Sequence, residues 1–494
     1  MFRFKTRNTV AVKYLNFTTL ELKNNSMRIL FLWVFLMAIW QISAHPWKPK
    51  SYVVVDTDGG IDDFRTLILL LNSKDVSVLA ITVSNGATPA KVSYQKVKNL
   101  LRVFHQEGIL VGINTTEVTE KPFAHAIEFP WTDSAFPVSP EVSYIEVLER
   151  IQTFSSEKIT FIQLASPLTL SSYLTLHPDF TQRIQKVLWT VDNQLEESWN
   201  YLLSPISYKN LVGKKIPVLK IESNEGVLTY HLPIKNNAQA TFNSKEKAFL
   251  KSIENATSEY GTMLFDELSW LYLTDSSVFQ KTNDGVKLKK GMGINEIGPK
   301  IFNAFNENAQ NNYQVLNYFP LDSALYLVDV SSPMKETILK FGMEEWAVCV
   351  ITNELHRHVG IYAIVGAKMG VRVREYFGTG PDELKVLSLA GSIPPLSCMN
   401  DGIQVSTGAT AGHGLLQISS NQPFEPTMVF EYLGQKVKVT LKETYRKEIA
   451  KEVEQLVVIY GINSNVYWDL VRQIALNIWF RWDRNQMFEI SPVE

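Results

Sequence analysis

The sequence feature that most constrains the fold is an acidic turn between a predicted strand and a predicted helix. The run from Tyr52 to Val55 is apolar and β-branched, which predicts a buried strand, and the segment from Asp63 to Leu71 predicts a helix. Between them, Gly59-Gly60 predicts a tight turn, because glycine accepts positive φ. The turn carries four carboxylates within eight residues, those of Asp56, Asp58, Asp62 and Asp63.

This arrangement predicts a site for a divalent cation. The acids follow a strand, and open α/β sheets bind their ligands at the carboxyl ends of the strands. Neighbouring carboxylates repel one another unless a cation or protons neutralise them, and aspartate oxygens on a turn suit a hard cation such as Ca²⁺. The alternative is a solvated acidic loop that caps the following helix. The density of acids and the strand–turn–helix context favour the cation site.

Short apolar strands alternate with helical patterns from Tyr52 to about Phe242. This alternation predicts a parallel sheet with helices on both faces. After Gln435 the pattern becomes amphipathic and helical, with a tryptophan-rich stretch near the end. The predicted strands are Tyr52–Val55, Val76–Val83, Ile159–Leu164, Lys186–Val191 and Ile216–Ile221, and the predicted helices are Phe64–Asn72, Pro89–Phe104, Glu141–Phe154, Leu168–Leu176 and one or two within Lys245–Tyr272.

The acidic turn also carries a family resemblance. The segment from Asp56 to Asp63 resembles the D-x-D-P-G-x-D-D signature of the inosine–uridine-preferring nucleoside hydrolases, with Gly59 in place of the proline. Three later segments match that family in order, so that the resemblance covers residues 52 to 319. They are Ala80–Asn85, which resembles a strand ending in a substrate-binding asparagine, Leu164–Thr169, which resembles G-P-L-T-N, and Met263–Leu268, which resembles the segment with the last metal-binding aspartate.

The resemblance implies a fold, a reaction and a set of site residues. The fold is α/β, a nucleoside-hydrolase-like, mostly parallel sheet with flanking helices. The reaction is hydrolysis of an N-glycosidic bond through an oxocarbenium-like sugar, helped by a cation that orients water and grips sugar hydroxyls. Carried over by position, the side chains of Asp58, Asp63 and Asp266 and the carbonyl of Thr169 bind the metal, Asp62 is the general base for metal-bound water, Asp56 supports the metal ligands, and Asn85 and Asn200 contact the sugar.

Two departures from the family pattern bear on the substrate. Glu197-Ser198-Trp199-Asn200 resembles the family's A-E-F-N, but Ser198 stands where the family has a ribose-contacting glutamate. Phe265 stands before Asp266 where many members have a histidine, so protonation of the leaving base by that route is absent. The sequence therefore keeps the implied metal ligands while leaving the preferred base and sugar open.

A second unit begins near Pro333 and resembles another family. Glu354–Ala363 and the later Asn400–Gly414 resemble the H-G-H-x-C-P-G and D-x-x-Q-x-x-T-G-C-T-x-G-K-G motifs of a domain family named after formylmethanofuran dehydrogenase. Gly360 and Ala409 replace the two cysteines of these motifs, which argues against thiolate-based metal or redox chemistry. We expect an α+β domain here, followed by a C-terminal helical segment.

The polar residues that remain in these motifs should converge on one pocket. Two histidines at i and i+2 are a weaker metal signature than two at i and i+4 on a helix. A polar pocket or a structural imidazole network is therefore favoured over a second metal, and any metal there would be held by imidazole and carboxylate. The pocket residues are His356, His358, Asp401 and His413, the last in place of the family's lysine.

The N-terminus predicts export. Met27-Arg28 precedes an apolar run from Ile29 to Ile39, and Ile42-Ser43-Ala44 offers a small-residue cleavage site, which is the layout of a signal peptide. The run is short for a membrane span, which needs about 20 residues, and an uncleaved anchor is the alternative. Residues 1–26 are either a long n-region or an upstream extension, if translation begins at Met27. The mature protein would be periplasmic or secreted.

Length and composition set the remaining boundaries. A chain of 494 residues predicts two or three domains, and a net charge of −2 gives no sign of nucleic-acid binding. Two cysteines, Cys349 and Cys398, cannot define a disulfide framework or a zinc ribbon. The predicted divisions are a signal peptide with its upstream extension at 1–44, a nucleoside-hydrolase-like domain at 49–322, the domain that resembles the formylmethanofuran dehydrogenase family at 333–435 and the helical segment at 436–494.

These observations predict an exported, metal-dependent N-glycosidase that releases ribose and a free base from a nucleoside-like small molecule. Ca²⁺ is the expected cation, with Mg²⁺ as the second choice. The first alternative is a non-catalytic, metal-dependent binding protein for a ribosyl compound on the same fold, and the second is a phosphohydrolase built on clustered aspartates. We expect no nucleic-acid partner and no membrane span after signal cleavage, and the sequence leaves a homo-oligomer open.

Overall fold

The structure is a computed structural model that describes residues 49–73, 75–118, 137–192, 195–222, 264–305 and 315–493. The predicted signal peptide at 1–44 lies outside the described residues. So do residues 245–263 of the predicted late helical region and residues 306–314 of the polar stretch between the two units. We call residues 49–305 the N-terminal unit and residues 315–493 the C-terminal unit.

The N-terminal unit is built on an eight-stranded sheet in the order β3-β2-β1-β4-β5-β6-β8-β7. Every neighbouring pair is parallel except β7 with β8, which is antiparallel. The predicted α/β class with a mostly parallel sheet is therefore confirmed. The strands are β1 (Ser51–Thr57), β2 (Val76–Val83), β3 (Leu110–Ile113), β4 (Ile159–Gln163), β5 (Ile184–Val191), β6 (Val218–Glu222), β7 (Phe279–Lys281) and β8 (Gly285–Leu288).

Helices cover both faces of this sheet, which explains why its strands read as continuous apolar runs. Along β1, Val53 and Val55 belong to the core on one face, while Tyr52 and Val54 belong to the core on the other. The helices are α1 (Ile61–Leu71), α2 (Ala90–Val103), α3 (Tyr144–Phe154), α4 (Leu168–Leu176), α5 (Trp199–Leu203), α6 (Pro205–Gly213), α7 (Glu267–Thr274) and α8 (Ile294–Phe305), with 3₁₀ turns at Pro178–Arg183, Leu195–Glu197 and Ser276–Val278.

The C-terminal unit packs helices on a five-stranded sheet with the order β10-β9-β11-β12-β13. Its strands are β9 (Lys385–Ser388), β10 (Leu416–Ile418), β11 (Thr427–Tyr432), β12 (Gln435–Leu441) and β13 (Phe488–Pro492). Its helices are α9 (Val328–Ser331), α10 (Met334–Phe341), α11 (Met343–His356), α12 (Ile361–Phe377), α13 (Met399–Thr407), α14 (Glu443–Tyr460), α15 (Asn465–Arg481) and α16 (Arg484–Met487), with 3₁₀ turns at Ser323–Leu325 and Leu396–Cys398.

Glycines let the two central helices of this unit, α12 and α13, approach closely. A Cβ on Gly366 would lie 2.1 Å from the Met399 carbonyl oxygen, and a Cβ on Gly402 would lie 2.2 Å from the Ala363 carbonyl oxygen. Any larger residue at either position would force the helices apart, because the contact is with backbone.

The C-terminal segment, predicted as helical, completes the core of the C-terminal unit and also contains most of β12 and all of β13. The ring of Trp479 in α15 lies 4.9 Å from that of Trp346 in α11, and both side chains are buried. The strand β13 pairs with β12 at the edge of the second sheet. Residues 436–493 therefore share one hydrophobic core with the preceding domain.

The C-terminal unit docks at the amino-terminal ends of the parallel strands. The Tyr432 hydroxyl lies 2.6 Å from the Ser77 hydroxyl at the start of β2, and the Gly108 N–H donates to the Tyr376 carbonyl just before β3. Leu433, in the turn between β11 and β12, packs against both cores. The acidic turn follows the opposite end of the strands, and a strand of eight residues spans about 26 Å.

Among the helices that the structure describes, none combines the length and the hydrophobicity that a membrane span requires.

Candidate active site

Polar residues of the N-terminal unit, some of them predicted from the sequence, gather where parallel strands end. Asp56 and Thr57 close β1, Asn85 follows β2, and Gln163 closes β4, which is next to β1 in the sheet. Parallel pairing aligns these carboxyl ends along one edge of the sheet. The acidic turn then leads directly into α1, whose first turn carries Asp62 and Asp63.

Asp62, Asp63 and Asp266 form a compact carboxylate group. One oxygen of each lies within 4.8 Å of the others, and within the described residues this is the single group of three or more potential metal-ligating side chains. Asp266, which joins this group, is the residue just before α7. Asp63 is fixed in place because its Oδ2 accepts hydrogen bonds from the Thr57 hydroxyl, from the Asp58 N–H and from the Gly59 N–H.

Burial and mutual repulsion raise the pKa values of these acids. Burial, then the charge of Asp62, raises the pKa of Asp63 to about 7, although hydrogen bonds from Asp266 and Thr57 oppose the change. Burial and the charges of Asp62 and Asp63 hold the pKa of Asp266 well above its usual range.

Asp58 lies next to this group with its carboxylate turned toward the loop after β2. A Cβ on Gly86 would lie 2.1 Å from Asp58 Oδ2, so only glycine leaves room for this carboxylate. The Ala87 N–H donates to the Asp58 side chain, while burial and the charge of Asp63 hold its pKa well above the usual range. The structure thus brings Asp62 into the tight group, whereas Asp58, an expected metal ligand, borders it.

Two buried carboxylate oxygens in this site, Asp58 Oδ2 and Asp266 Oδ1, accept no hydrogen bond from the described part of the chain. A buried carboxylate oxygen is costly unless a donor or a cation satisfies it. All the side-chain atoms that could bind a metal here are carboxylate oxygens, which suit Ca²⁺ or Mg²⁺ better than zinc. The residues present therefore fit an oxygen-ligated divalent cation.

Asp56 lies beneath the group in a network of hydrogen bonds. The Thr82 hydroxyl donates to Asp56 Oδ1 and the Gln163 amide donates to Oδ2, each at 2.6 Å. Burial raises the pKa of Asp56 to about 7, and the hydrogen bonds from Thr82, Gln163 and Thr169 oppose the rise. Asp56 is therefore held rigidly by its neighbours, as its expected supporting role requires.

The other residues expected at the site, Thr169, Asn85 and Asn200, all form hydrogen bonds within the protein. Thr169 is buried in the first turn of α4, where its side chain hydrogen bonds with Asp56 and accepts from Asn114 Nδ2. Asn85 is engaged within the protein, since its amide donates to the Thr116 carbonyl and its oxygen accepts from the Ala90 N–H at the start of α2. Asn200 donates to the Leu164 carbonyl at 2.7 Å, while its side-chain oxygen has no hydrogen-bond partner in the described residues.

A buried ion pair beside the acids was not predicted from the sequence. Arg65 of α1 donates to Glu267 of α7, and the two side chains are 3% and 0% exposed. The pair joins the helix that carries Asp62 and Asp63 to the helix that follows Asp266. The signal was a charged residue inside the apolar stretch Ile61–Leu71, just as Gln163 was a lone polar residue ending an apolar strand.

In the C-terminal unit, three of the four expected pocket residues come together. His356 Nδ1 lies 2.7 Å from Asp401 Oδ2, and the His358 ring lies 4.2 Å from the His356 ring. Burial and His356 lower the pKa of His358. His413 instead lies by Gly408 and Asp382, 3.0 Å from the carbonyl oxygen and 3.4 Å from the carboxylate. In the described residues, no three of the four offer ligand atoms within 4.8 Å of one another.

The absence of a side chain at Gly360 leaves room for the His356 ring. A Cβ on this glycine would lie 2.6 Å from His356 Cδ2 and 2.8 Å from Nε2, so the imidazole packs directly over the position where the related motif has cysteine. The expected imidazole network is therefore formed by His356, His358 and Asp401, without His413.

Two family models match the chain. The model described as inosine-uridine preferring nucleoside hydrolase matches residues 53–318, more than half of the 494 residues. The model described as FmdE, molybdenum formylmethanofuran dehydrogenase operon, matches residues 355–461 and so includes the whole of α14. A comparison with curated protein sequences finds no significant match.

Solved structures similar to the chain include an inosine-uridine preferring nucleoside hydrolase from Bacillus anthracis, with 18% identity and a TM-score of 0.41, covering 52% of this chain and 97% of that one. A plant nucleoside hydrolase, the PpNRh1 enzyme, has 16% identity and a TM-score of 0.42, with 52% and 98% covered. A purine-preferring ribonucleoside hydrolase from Gardnerella vaginalis has 14% identity and a TM-score of 0.40, with 52% and 96% covered.

Proposed function

Because this chain belongs to the inosine-uridine preferring nucleoside hydrolase family, we propose that it hydrolyses the N-glycosidic bond of a ribonucleoside or a related ribosyl compound to ribose and free base. The observation that carries the proposal is the group of Asp62, Asp63 and Asp266 at the carboxyl edge of the parallel sheet. Cleavage of a glycosidic bond needs a base for water and stabilisation of a cationic sugar. Clustered carboxylates supply both.

The proposed cofactor is Ca²⁺, with Mg²⁺ as the second choice. The side chains of Asp58, Asp63 and Asp266 and the carbonyl of Thr169 would hold it, which also gives a partner to the buried oxygens of Asp58 and Asp266. When bound, the cation would polarise water and grip sugar hydroxyls. Its positive charge would also keep the carboxylates ionised, although burial raises their pKa values.

The general base in this proposal is Asp62. Its side chain lies beside Asp63 and Asp266 but is less buried than either, so it can face both the ligands and a substrate. An ionised carboxylate there accepts the proton of the attacking water. Asp56, held by Thr82 and Gln163, keeps the acidic turn in position.

Substrate contacts divide between the asparagines. Asn200 has a buried oxygen that accepts a hydrogen bond from a sugar hydroxyl in this proposal, since the described residues give it no donor. Both polar groups of the Asn85 side chain form hydrogen bonds within the protein, which fix the loop after β2. Asn85 must break one of these hydrogen bonds before it can contact the sugar. Phe265 cannot donate a proton, so the leaving base departs without help from that position.

We also propose that the protein is exported and that the mature chain starts near His45. The support is the order of basic, apolar and small residues from Arg28 to Ala44. N-terminal sequencing of the protein from its native host tests this. A chain that starts at Met1 or Met27 in a soluble intracellular fraction contradicts it.

Ribose release tests the proposed reaction. Purified protein is incubated with inosine, uridine, adenosine and cytidine, with Ca²⁺ and then with a chelator, and free ribose is measured. We expect release from at least one nucleoside, loss of release on chelation, and recovery with Ca²⁺. Asp63→Asn should abolish it, whereas Asp284→Asn, an exposed acid paired with Lys220, should not.

The same assay separates the alternatives. Saturable nucleoside binding without ribose release favours the binding protein, which the replacement of two family positions by Ser198 and Phe265 makes the main competitor. Metal-dependent cleavage of a phosphate ester without ribose release favours a phosphohydrolase. Either result contradicts the proposed reaction.

A further inference from the structure

A cavity of about 410 Å³ lies where the two units meet, beside β3, the edge strand of the first sheet. Its walls come from α2 and α3 of the N-terminal unit and from the start of β12 in the C-terminal unit. It adjoins the start of β3 at Gly108 to Val111, whereas the acidic turn follows the end of β1. This cavity is therefore separate from the proposed nucleoside site.

The lining of this cavity is strongly basic. Four cationic side chains face one carboxylate, Glu107, among the described residues that line it. That carboxylate is already bound, since Arg372 donates to both of its oxygens at 3.2 and 3.0 Å. The four cations are Lys98 and Arg102 of α2, Arg150 of α3 and Lys436 of β12.

The cations at the rim have only weak partners. Arg150 pairs with Glu146 at 2.9 Å, but both side chains are 50% exposed. Lys436 reaches Glu431 at 3.9 Å. Exposed pairs of this kind are worth little and exchange readily with other anions. Both side chains therefore remain available to a ligand.

Lys98 is the deeper cation. It is partly buried, and the described part of the chain offers it no ion-pair partner within 4.0 Å. Burial and then the charge of Arg102 lower the pKa of Lys98, although the charge of Glu107 opposes the change. An anion in the cavity would relieve both effects, because it would solvate the ammonium and offset the repulsion from Arg102.

We propose that this cavity binds a phosphate-bearing small molecule. The guanidinium of Arg150 can match phosphate with paired hydrogen bonds, and the ammonium groups add point charges. Arg102 already donates to Asn99, Pro137 and Ser139, so its part is to add positive charge. A basic cleft with low-dielectric walls concentrates anions. The volume falls in the range of small-molecule sites, about 300–1,000 Å³, so a sugar phosphate or a nucleoside monophosphate fits better than phosphate alone.

The bound molecule would join the two units. Lys98, Arg102 and Arg150 belong to the N-terminal unit and Lys436 to the C-terminal unit, so a phosphate between them adds contacts on both sides of the interface. A ligand that binds only this folded arrangement raises stability with its concentration. Binding should therefore raise the unfolding temperature of both units together.

The test uses the full chain with chelator present, so that metal-bridged binding is excluded. Inorganic phosphate, AMP and adenosine are titrated by calorimetry at low salt. We expect saturable binding of AMP, weaker saturable binding of phosphate, and AMP affinity that falls as salt rises. An excess of adenosine, which the proposed nucleoside site would take, should not displace AMP from the cavity. Absence of phosphate and AMP binding, or AMP binding that adenosine abolishes, overturns the proposal.

Charge variants locate the site. Lys98→Gln combined with Lys436→Gln should weaken AMP binding at least tenfold, whereas Lys98→Arg combined with Lys436→Arg should retain it. The matched control is Lys209→Gln combined with Lys335→Gln, which removes one exposed lysine from each unit away from the cavity. Unchanged AMP affinity in the first double variant, or equal weakening in the control, places the ligand elsewhere and overturns the proposal.

Discussion

The two candidate sites of this chain differ in how the fold assembles them. In the N-terminal unit, Asp62 and Asp63 meet Asp266 although the two segments are far apart in the sequence. In the C-terminal unit, His356 and His358 are close in the sequence and meet Asp401, but His413 pairs with Asp382 instead. Two acids of the first site follow the strand β1, whereas the residues of the second site lie at a helix end, in a helix and in a loop.

Parallel pairing explains the place of Asp62 and Asp63, which follow β1, but not that of Asp266, which precedes α7. A parallel sheet brings the carboxyl ends of its strands to one edge, so polar residues that follow apolar strands converge whatever their order in the chain. In the C-terminal unit, His356 ends α11 and Asp401 lies in α13, while His413 lies in the loop before β10. No pairing rule aligns a helix end with a loop, so shared motifs did not predict contact.

The largest expected effect comes from replacing Asp62, the proposed general base of the acidic site. Asp62→Asn should reduce turnover about 10²–10⁴-fold, because an amide cannot accept the proton of water. Calcium binding should be largely retained, because Asp58, Asp63 and Asp266 remain. Ribose release and calcium calorimetry on the same protein give both quantities.

Asp63→Asn is the companion variant, because it should lose both turnover and calcium binding. Turnover by Asp62→Asn equal to that of the unmodified protein would show that another group is the base. Loss of metal from Asp62→Asn would make that residue a ligand, as its place in the tight group allows.

The second prediction concerns the buried ion pair between Arg65 and Glu267, beside the acids. Arg65→Met should lower the free energy of unfolding of the N-terminal unit by about 3–5 kcal/mol, because it leaves Glu267 buried without its cation. Arg65→Met combined with Glu267→Met should lose less, since no charge is stranded. Chemical unfolding monitored in each unit measures the difference.

An exposed pair serves as the control for that measurement. Arg446 and Glu443 in α14 are 51% and 54% exposed, so Arg446→Met should change the unfolding free energy by less than about 1 kcal/mol. Equal losses from Arg65→Met and Arg446→Met would show that burial gives the first pair no special weight.

The sequence predicted much of the fold for physical reasons that can be traced. β2 was predicted with its exact bounds, because eight buried residues form one apolar run. β3 was missed, because Leu110–Ile113 is only four residues long and one of them is glycine. The acids were found through their density around Gly59-Gly60, whereas Arg65 and Glu267 were not, because neither residue signals a partner distant in the chain.

The third prediction sharpens the acidic site through pH. The pKa values of Asp56 and Asp63 are raised from 3.8 to about 7 in the metal-free fold. The folded state therefore keeps protons that the unfolded state releases, so the stability of metal-free protein should fall as pH rises from about 4 to 7. Calcium must displace the proton of Asp63, a proposed ligand, so calcium affinity should rise over the same window, by about tenfold per pH unit for each proton displaced.

The prediction is tested by two quantities that should change in opposite directions as pH rises: the stability of metal-free protein should fall, and calcium affinity should rise. Thermal unfolding with chelator should give its highest temperature on the acid side, and calcium titration should give its tightest binding above pH 7. A calcium affinity that stays constant between pH 5.5 and 7.5 would contradict the assignment of raised pKa values to metal ligands.

The smallest expected effect tests the imidazole site. His356→Asn should lower the unfolding free energy of the C-terminal unit by about 1 kcal/mol, because it removes the hydrogen bond to Asp401, whose side chain is 34% exposed. His413→Asn is the matched variant, and it should cost less, because that side chain is more exposed, at 38%, than that of His356, at 10%. Neither change should alter ribose release by more than about twofold, because the C-terminal unit contacts the amino-terminal ends of the strands, away from the acids. If His413→Asn costs as much as His356→Asn, the four residues act as one network and the contrast between the two sites fails. If either variant abolishes ribose release, the two units are coupled across the interface, and the C-terminal unit has a part in the reaction.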